Sequence, residues 1–468
     1  MNKYSYTIIF FLLLAFNSKT EAQVIYDSQS INLLSNWFNP NEPLATSYNI
    51  KYNGIWGWVD SLGNEYAIVG AASGTYFINV TNPAAPVQCD WVQGRRNNCV
   101  WREIKTYQHY CYMVSDDPSP NSFQIVDMSY LPDSVHVVYD SNVLFERCHT
   151  IFIEGDKLYG GYVRGGSIVN ASMAVFSLAN PTSPVLLRTL NQDYSIPSGA
   201  VHDMYVSHDT IFASRGYDGL FIYQLLPNNH FSYVNSLITY IDQGYNHASA
   251  LTNDAQYLVM TDEVPVGLDV KIVNVSNLNN LSVSSNFHTH PDATAHNPFI
   301  LGNLLYMAYY MDGLQVFDIS NPSNPIRVGY FDTYWQNTPG LYPSPGYAGA
   351  WGAYPYLPSG NILVSDMQNG LFVLDPSALS GISSPTKKQL FSIQPNPVLK
   401  GNKITISLNN SVENASMTIS DMTGRIIERN VLTGNKKIID TSIFSAGIYC
   451  LTILNNGQLN IGRFIITE

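Results

Sequence analysis

The chain has 468 residues, more than one hydrophobic core usually holds, so more than one folding unit is expected. Charged residues make up only 12% and aromatic residues 13%, the profile of a β-rich, turn-rich exported protein rather than a helical cytosolic enzyme. A formal net charge of −12 argues against nucleic acid as a partner, because a phosphate backbone calls for clustered Lys and Arg.

Residues 1–22 read as a secretory signal peptide. Lys3 sits in a short basic start, Ile8 to Phe16 form the apolar stretch, and Thr20-Glu21-Ala22 brings small residues to a cleavage point. That stretch is about half of the roughly 20 residues a membrane-spanning helix needs. No later segment is long and apolar enough, so no membrane span is expected and the mature chain begins near Gln23. The five cysteines, Cys89, Cys99, Cys111, Cys148 and Cys450, form no C-x-x-C pair, which argues against a thiolate zinc site. Export permits disulfides, and Cys89 with Cys99 is the one bridge expected, across a short polar loop.

From Gly74 onward one phrase recurs. Its clearest form is Gly313-Leu-Gln-Val-Phe-Asp-Ile-Ser-Asn-Pro-Ser-Asn-Pro325, and Gly74 to Pro86 and Met173 to Pro184 are close copies. Looser copies lie at 123–129, 219–225, 268–277 and 370–376, which makes seven. Each opens with alternating apolar residues, the period of a half-buried strand, and then meets a polar residue: Asn79, Asp127, Ser177, Gln224, Asn274, Asp318 and Asp375. The Asn-Pro steps that follow cannot continue a central ladder and favour turns. A second phrase, as in His296 to Tyr306, supplies two strands around a Gly-Asn turn, and a fourth strand follows as in Pro325 to Phe331. Four short strands in about 48 residues, seven times over, predict an all-β, seven-bladed β-propeller over residues 48–378. Residues 23–47 are a lead-in segment, and the sequence leaves open whether they complete a blade.

The phrase Leu314-Gln-Val-Phe-Asp-Ile-Ser-Asn-Pro322 resembles the LVIVD repeat. The larger pattern over residues 48–376 resembles the choice-of-anchor B family. The resemblance rests on Ile55-Trp-Gly-Trp58, Trp101-Arg-Glu-Ile-Lys105, Val201-His-Asp203, Gly329-Tyr-Phe-Asp-Thr-Tyr334 and Ala350 to Gly360. It implies a surface-located propeller and assigns no chemistry.

After Asp375 the text changes. Residues 379–389 read as a linker and residues 390–468 as a small antiparallel β-sandwich. Phe391-Ser-Ile-Gln-Pro-Asn-Pro397, Ile419-Ser-Asp-Met-Thr-Gly-Arg425 and Phe444-Ser-Ala-Gly-Ile-Tyr449 resemble the C-terminal sorting domain of type IX secretion. That resemblance implies passage through periplasm and outer membrane, removal of this domain, and a propeller that works at the cell surface or as a secreted protein. The secretion machinery is then a partner.

Aligned on their opening strands, the repeats place Trp56, Trp101, His149, His202, His247, His296 and Trp351 at one position, which in a propeller faces the central channel. His149, His202, His247 and His296 are candidate ligands for one divalent metal ion. Asp203 and Glu263 are carboxylate ligands or orienting partners. Trp56, Trp101, Trp351, Asp203, Asp262 and Glu263 are candidates for binding a surface ligand, a glycan or a protein. The competing structural reading has each histidine bonding the next blade's backbone. Two further clusters, His288-Thr-His290-Pro-Asp292 and Thr261-Asp262-Glu263, read as polar loops before metal sites. Three functions stay open: a noncatalytic surface binding protein, a metal-dependent enzyme centred on the histidines, and a scaffold of an envelope complex.

Overall fold

The computed structural model describes residues 26–195, 201–335, 347–379, 391–421, 426–455 and 458–467. The signal segment and, but for Leu379, the expected linker fall outside them. Among the described residues every regular element is a strand, apart from two short 3-10 turns at Leu190–Gln192 and Thr441–Ile443. No helix there is long and apolar enough to cross a membrane.

Seven antiparallel sheets follow one another along the chain and close into a propeller. Blade 1 runs from strand Tyr52–Val59 to Val87–Gln93, and blade 2 from Arg102–Tyr107 to His136–Ser141. Blade 3 runs from Thr150–Glu154 to Val185–Thr189, and blade 4 from Asp203–Ser207 to Phe231–Leu237. Blade 5 runs from Asn246–Leu251 to Ser282–Phe287, and blade 6 from Pro298–Leu301 to Ile326–Phe331. Blade 7 takes three strands from its own repeat: Ala350–Tyr354, Ile362–Asp366 and Gly370–Asp375. Its fourth comes from the other end of the chain, for Asn32–Trp37 pairs with the last of them, Asn32 opposite Asp375 and Trp37 opposite Leu371. Just before it, Ser28–Gln29 adds a short fifth strand to blade 6. Part of the lead-in thus completes one blade and extends another.

The second and third strands of each blade are packed on both faces by neighbouring blades and read as apolar runs, Glu65–Ala71 being buried along its whole length. Aromatic rings wedge the interfaces. Phe145 stacks on Phe123 at 4.8 Å and leans on Phe176 at 5.4 Å, tying blade 2 to blade 3. The recurring polar residue ends the third strand. The side chains of Asn79, Asp127, Ser177, Asn274, Asp318 and Asp375 each accept a bond from the backbone N–H two residues on, at 2.8–3.2 Å. These local turns offer the backbone an alternative to the ladder just where the chain must reverse. Gln224 is the exception, bonding Thr210 and the His208 carbonyl instead.

The C-terminal unit is a separate sheet of six strands with its own core, including Ile393, Ile406, Met417, Leu451 and Phe464. Asn396, at the centre of the Pro-Asn-Pro phrase, donates to the Arg463 carbonyl and accepts from the Ile465 N–H, pinning the entry of the domain to its last strand. Tyr449 of the Gly-Ile-Tyr phrase stacks on Phe464 at 5.5 Å. Residues 422–425 of the Ile419 to Arg425 phrase lie outside the described residues.

One expectation is overturned. Cys89 and Cys99 form no bridge, and all five cysteines are free thiols. Cys99 is turned into the core, its sulfur 2.9 Å from the Ser115 hydroxyl and 3.0 Å from the Asp117 carboxylate, while Cys89 lies on the outer strand of blade 1.

Candidate binding mouth of the central channel

The channel is walled by the first strand of every blade, and its two ends differ. One end receives the turns that leave these strands; there the C-terminal domain reaches the propeller, with Arg463 donating to the Leu357 carbonyl at 2.6 Å. The other end receives the starts of the strands, where the histidines sit. His149, His202 and His296 immediately precede or closely approach their strands, while His247 is the second residue of Asn246–Leu251, at a bulge.

Six side chains form a chain of neighbouring rings around this mouth. Ring centres are 6.4 Å apart from Trp101 to His149, 4.1 Å to His202, 4.4 Å to His247, 4.3 Å to His296 and 5.0 Å to Trp351. Three of the four imidazoles are held from the Nδ1 side. His202 Nδ1 donates to the His247 carbonyl at 3.2 Å, and His296 Nδ1 to the Trp351 carbonyl at 2.5 Å. His149 Nδ1 faces the Asp116 carboxylate at 3.0 Å. His247 Nδ1, near the His296 backbone, completes no hydrogen bond. Two of these contacts are the blade-to-blade backbone bonds of the structural reading, and they leave Nε2 of each ring as the unprotonated nitrogen.

Trp56 is not at this level. A bulge between Tyr52 and Ile55 carries it deeper, where it meets Phe299 at 6.5 Å and Tyr354 at 5.1 Å, its indole N–H on the Thr106 hydroxyl. Blade 1 fills the histidine position with Asn53, whose Nδ2 donates to the Val100 carbonyl at 2.9 Å as His202 does to its neighbour. Between the two levels lie Glu103, Lys105 and Asp203. Lys105 pairs with Glu103 and rests 4.3 Å over the Trp56 ring. Burial and the nearby Glu103 push the Asp203 carboxyl up to about 7.

The carboxylates divide in the same way. Glu263 faces the mouth: Tyr310 donates to its Oε1 at 2.7 Å, and its Oε2 lies 3.7 Å from His247 Nε2. Asp262 turns away, fully buried between Lys271 at 2.7 Å and the Tyr240 hydroxyl at 2.8 Å. Asp116, which the repeats did not single out, gathers His149, Arg147 and Arg164. Burial would raise its pKa, but the bond from His149 and the two guanidinium charges hold it below the usual carboxylate range. Burial presses His202 and His247 well below ordinary histidine and His296 to about 3, so these three rings are neutral at physiological pH. The His288–His290–Asp292 loop plays no part here; His288 pairs with Asp269 at 2.6 Å on the surface.

Outside the ring chain stand more aromatics. Tyr48 meets Trp101 edge-on at 5.6 Å, Tyr217 meets Tyr245 at 5.1 Å, and Tyr347 meets Tyr310 at 5.4 Å. The Arg164 guanidinium lies 3.5 Å over Tyr162. Tyr217 is 66% exposed and Tyr48 48%, so this rim faces solvent. The channel itself encloses about 90 Å³, below the roughly 300 Å³ at the small end of pockets that engulf a drug-sized ligand.

A family model of the secretion system C-terminal sorting domain matches residues 392–467, and one of the LVIVD repeat matches residues 294–333. The C-terminal unit is a type IX sorting domain. The sorting domain marks the chain for secretion by that system, and blade 6 carries an LVIVD repeat. No curated protein matches the chain. Among solved structures, the chain is similar to PorZ, a surface component of the type IX secretion system of Porphyromonas gingivalis, at 11% identity and a TM-score of 0.38. That match covers 86% of this chain and 64% of PorZ. The WD40 propeller domain of Doa1 is similar at 10% identity and a TM-score of 0.48, over 74% and 96% of the two chains. A putative 6-phosphogluconolactonase from Bacteroides uniformis gives 14% and 0.47, over 78% and 95%. At these values the likeness carries nothing about what this chain binds.

Proposed function

We propose that the propeller works outside the cell, the surface location that the choice-of-anchor B resemblance implies, as a noncatalytic binding protein, and that its ligand is a sugar ring of a surface or extracellular glycan. The aromatic rim carries this reading. Tyr48, Trp101, Tyr217, Tyr245 and Tyr347 surround one mouth, and flat apolar faces with a polar edge suit the CH faces and hydroxyls of a pyranose. Burial, followed by the nearby Glu263, pushes the Tyr245 and Tyr347 phenols up to about 12, so both remain neutral donors. The small channel volume favours a ligand seated across the mouth over one swallowed by it. Release of the sorting domain during export would leave this mouth unchanged, since that domain contacts the opposite end.

Tryptophan fluorescence of the exported protein, titrated with a panel of oligosaccharides, tests the proposal. A binder should lose roughly 2- to 10-fold in affinity when Trp101→Ala or Tyr217→Ala removes one stacking face. Equal affinity in both variants, or turnover of the bound sugar, would overturn it.

A further inference from the structure

Beneath the rim, independently of what the rim holds, the side chains pose a separate question. His202, His247 and Glu263 each offer a ligand atom, and all three atoms lie within 4.8 Å of one another. We propose that these residues bind one divalent transition-metal ion at the channel mouth.

Three observations support the assignment. First, the donors are prepared. His202 gives its Nδ1 hydrogen to a backbone carbonyl, and so does His296, which fixes the tautomer that leaves an Nε2 lone pair. Metal-binding histidines are held in this way, by a hydrogen bond from the other nitrogen. Second, Glu263 is oriented. Tyr310 occupies one carboxylate oxygen and the other turns to His247. Third, the two arginines beside His149, Arg147 and Arg164, are committed to Asp116 rather than to Glu263. A dication would give His202, His247 and the Glu263 oxygen one shared partner.

The chemistry also selects the ion. Two imidazoles and one carboxylate suit zinc, cobalt, nickel or copper, whereas calcium and magnesium prefer an all-oxygen shell. Bonds of about 2.0–2.1 Å in a tetrahedral set place donors about 3.3 Å apart, so the three side chains close inward by rotation on binding. His149 is left out of the set because it is not among the residues whose ligand atoms all lie within 4.8 Å of one another.

The test uses the exported protein carrying no polyhistidine tag, stripped with a chelator and titrated with Zn²⁺, Co²⁺ and Cu²⁺. Elemental analysis should find about one ion per chain. The Cu²⁺ form should show nitrogen hyperfine coupling in its electron paramagnetic resonance spectrum. His247→Ala and Glu263→Gln should each weaken binding more than about 100-fold, and Tyr310→Phe, which only releases the carboxylate, roughly 10-fold. His288→Ala, on the surface, should change nothing. Should His247→Ala fail to fold, Glu263→Gln decides, because it keeps the shape of the side chain. A wild-type protein that folds but takes up no ion, or one whose affinity survives Glu263→Gln, overturns the site.

Discussion

At the end of the second strand of blade 7, Asp366 is fully buried yet well provided with donors. Thr333 Oγ1 donates at 2.8 Å, and the backbone N–H groups of Gln368 and Asn369 at 2.9 and 2.8 Å. Burial outweighs these bonds and pushes its carboxyl from an ordinary 3.8 up to about 6. The folded state therefore keeps a proton that the unfolded chain has already released. Its contribution to stability is fully present below about pH 4 and is lost as pH rises through 6. Asp366→Asn keeps the two accepted backbone bonds and removes the titration. The difference in unfolding free energy between wild type and variant should change by about 3 kcal/mol between pH 4 and pH 7, in the variant's favour at the higher pH. Denaturant melts across that range check it, and a constant difference would show that Asp366 titrates normally. This residue also shows what the sequence conceals. Thr333 stood out only as part of the Gly329 to Tyr334 phrase, and nothing in the spacing says that it serves a carboxylate 33 positions on. The histidine ring was legible because a repeat turns spacing into position. Asn53 was not, because the bulge after Tyr52 shifts the register, so that sequence spacing assigns to Trp56 the place Asn53 holds.

Strands were easier to read than their partners. Alternation and turn residues marked three or four strands per repeat, but pairing is a property of the whole chain, so Asn32–Trp37 carried no sign that it belongs with Gly370–Asp375. Without it the last strand of blade 7 would present an open edge and an unpaired row of N–H and C=O groups. The segment also brings Trp37 against Tyr76 at 5.1 Å and Tyr52 at 6.4 Å, joining blade 7 to blade 1. A protein shortened to begin at Phe38 should lose the closure. Its melting temperature should fall by at least about 5 °C, the effect of two or so kcal/mol in a domain of this size. Size-exclusion chromatography should show self-association through the exposed edge. A monomer melting as the full chain does would mean that blade 7 is stable with three strands.

On the scale of the whole molecule, the sorting domain marks the chain for secretion while the proposed work of the propeller lies outside, a division that two units folding without each other would serve. The cores respect that division. The C-terminal cluster draws only on residues from Phe391 to Ile466, and the propeller's last core residue is Leu379. Where the two units meet, Arg463 donates to the Leu357 carbonyl, a group that water can satisfy after separation, and Ile426, Ile427, Ile443 and Phe444 line a cleft with Glu154 and Lys157 of the propeller. Leu357 lies at the end of the channel remote from the histidines, so a cut between residues 380 and 390 touches neither the rim nor the proposed metal ligands. Proteolysis confined to that stretch should release a propeller whose melting temperature stays within about 2 °C of its value in the full chain, a shift of less than roughly 1 kcal/mol. Metal stoichiometry and sugar affinity should also survive the cut. Calorimetry before and after cleavage measures the first, and repetition of the two titrations measures the others. A propeller that unfolds on losing its sorting domain would mean that the Arg463 contact belongs to a shared structure. The mature surface protein would then have to retain the domain that delivers it.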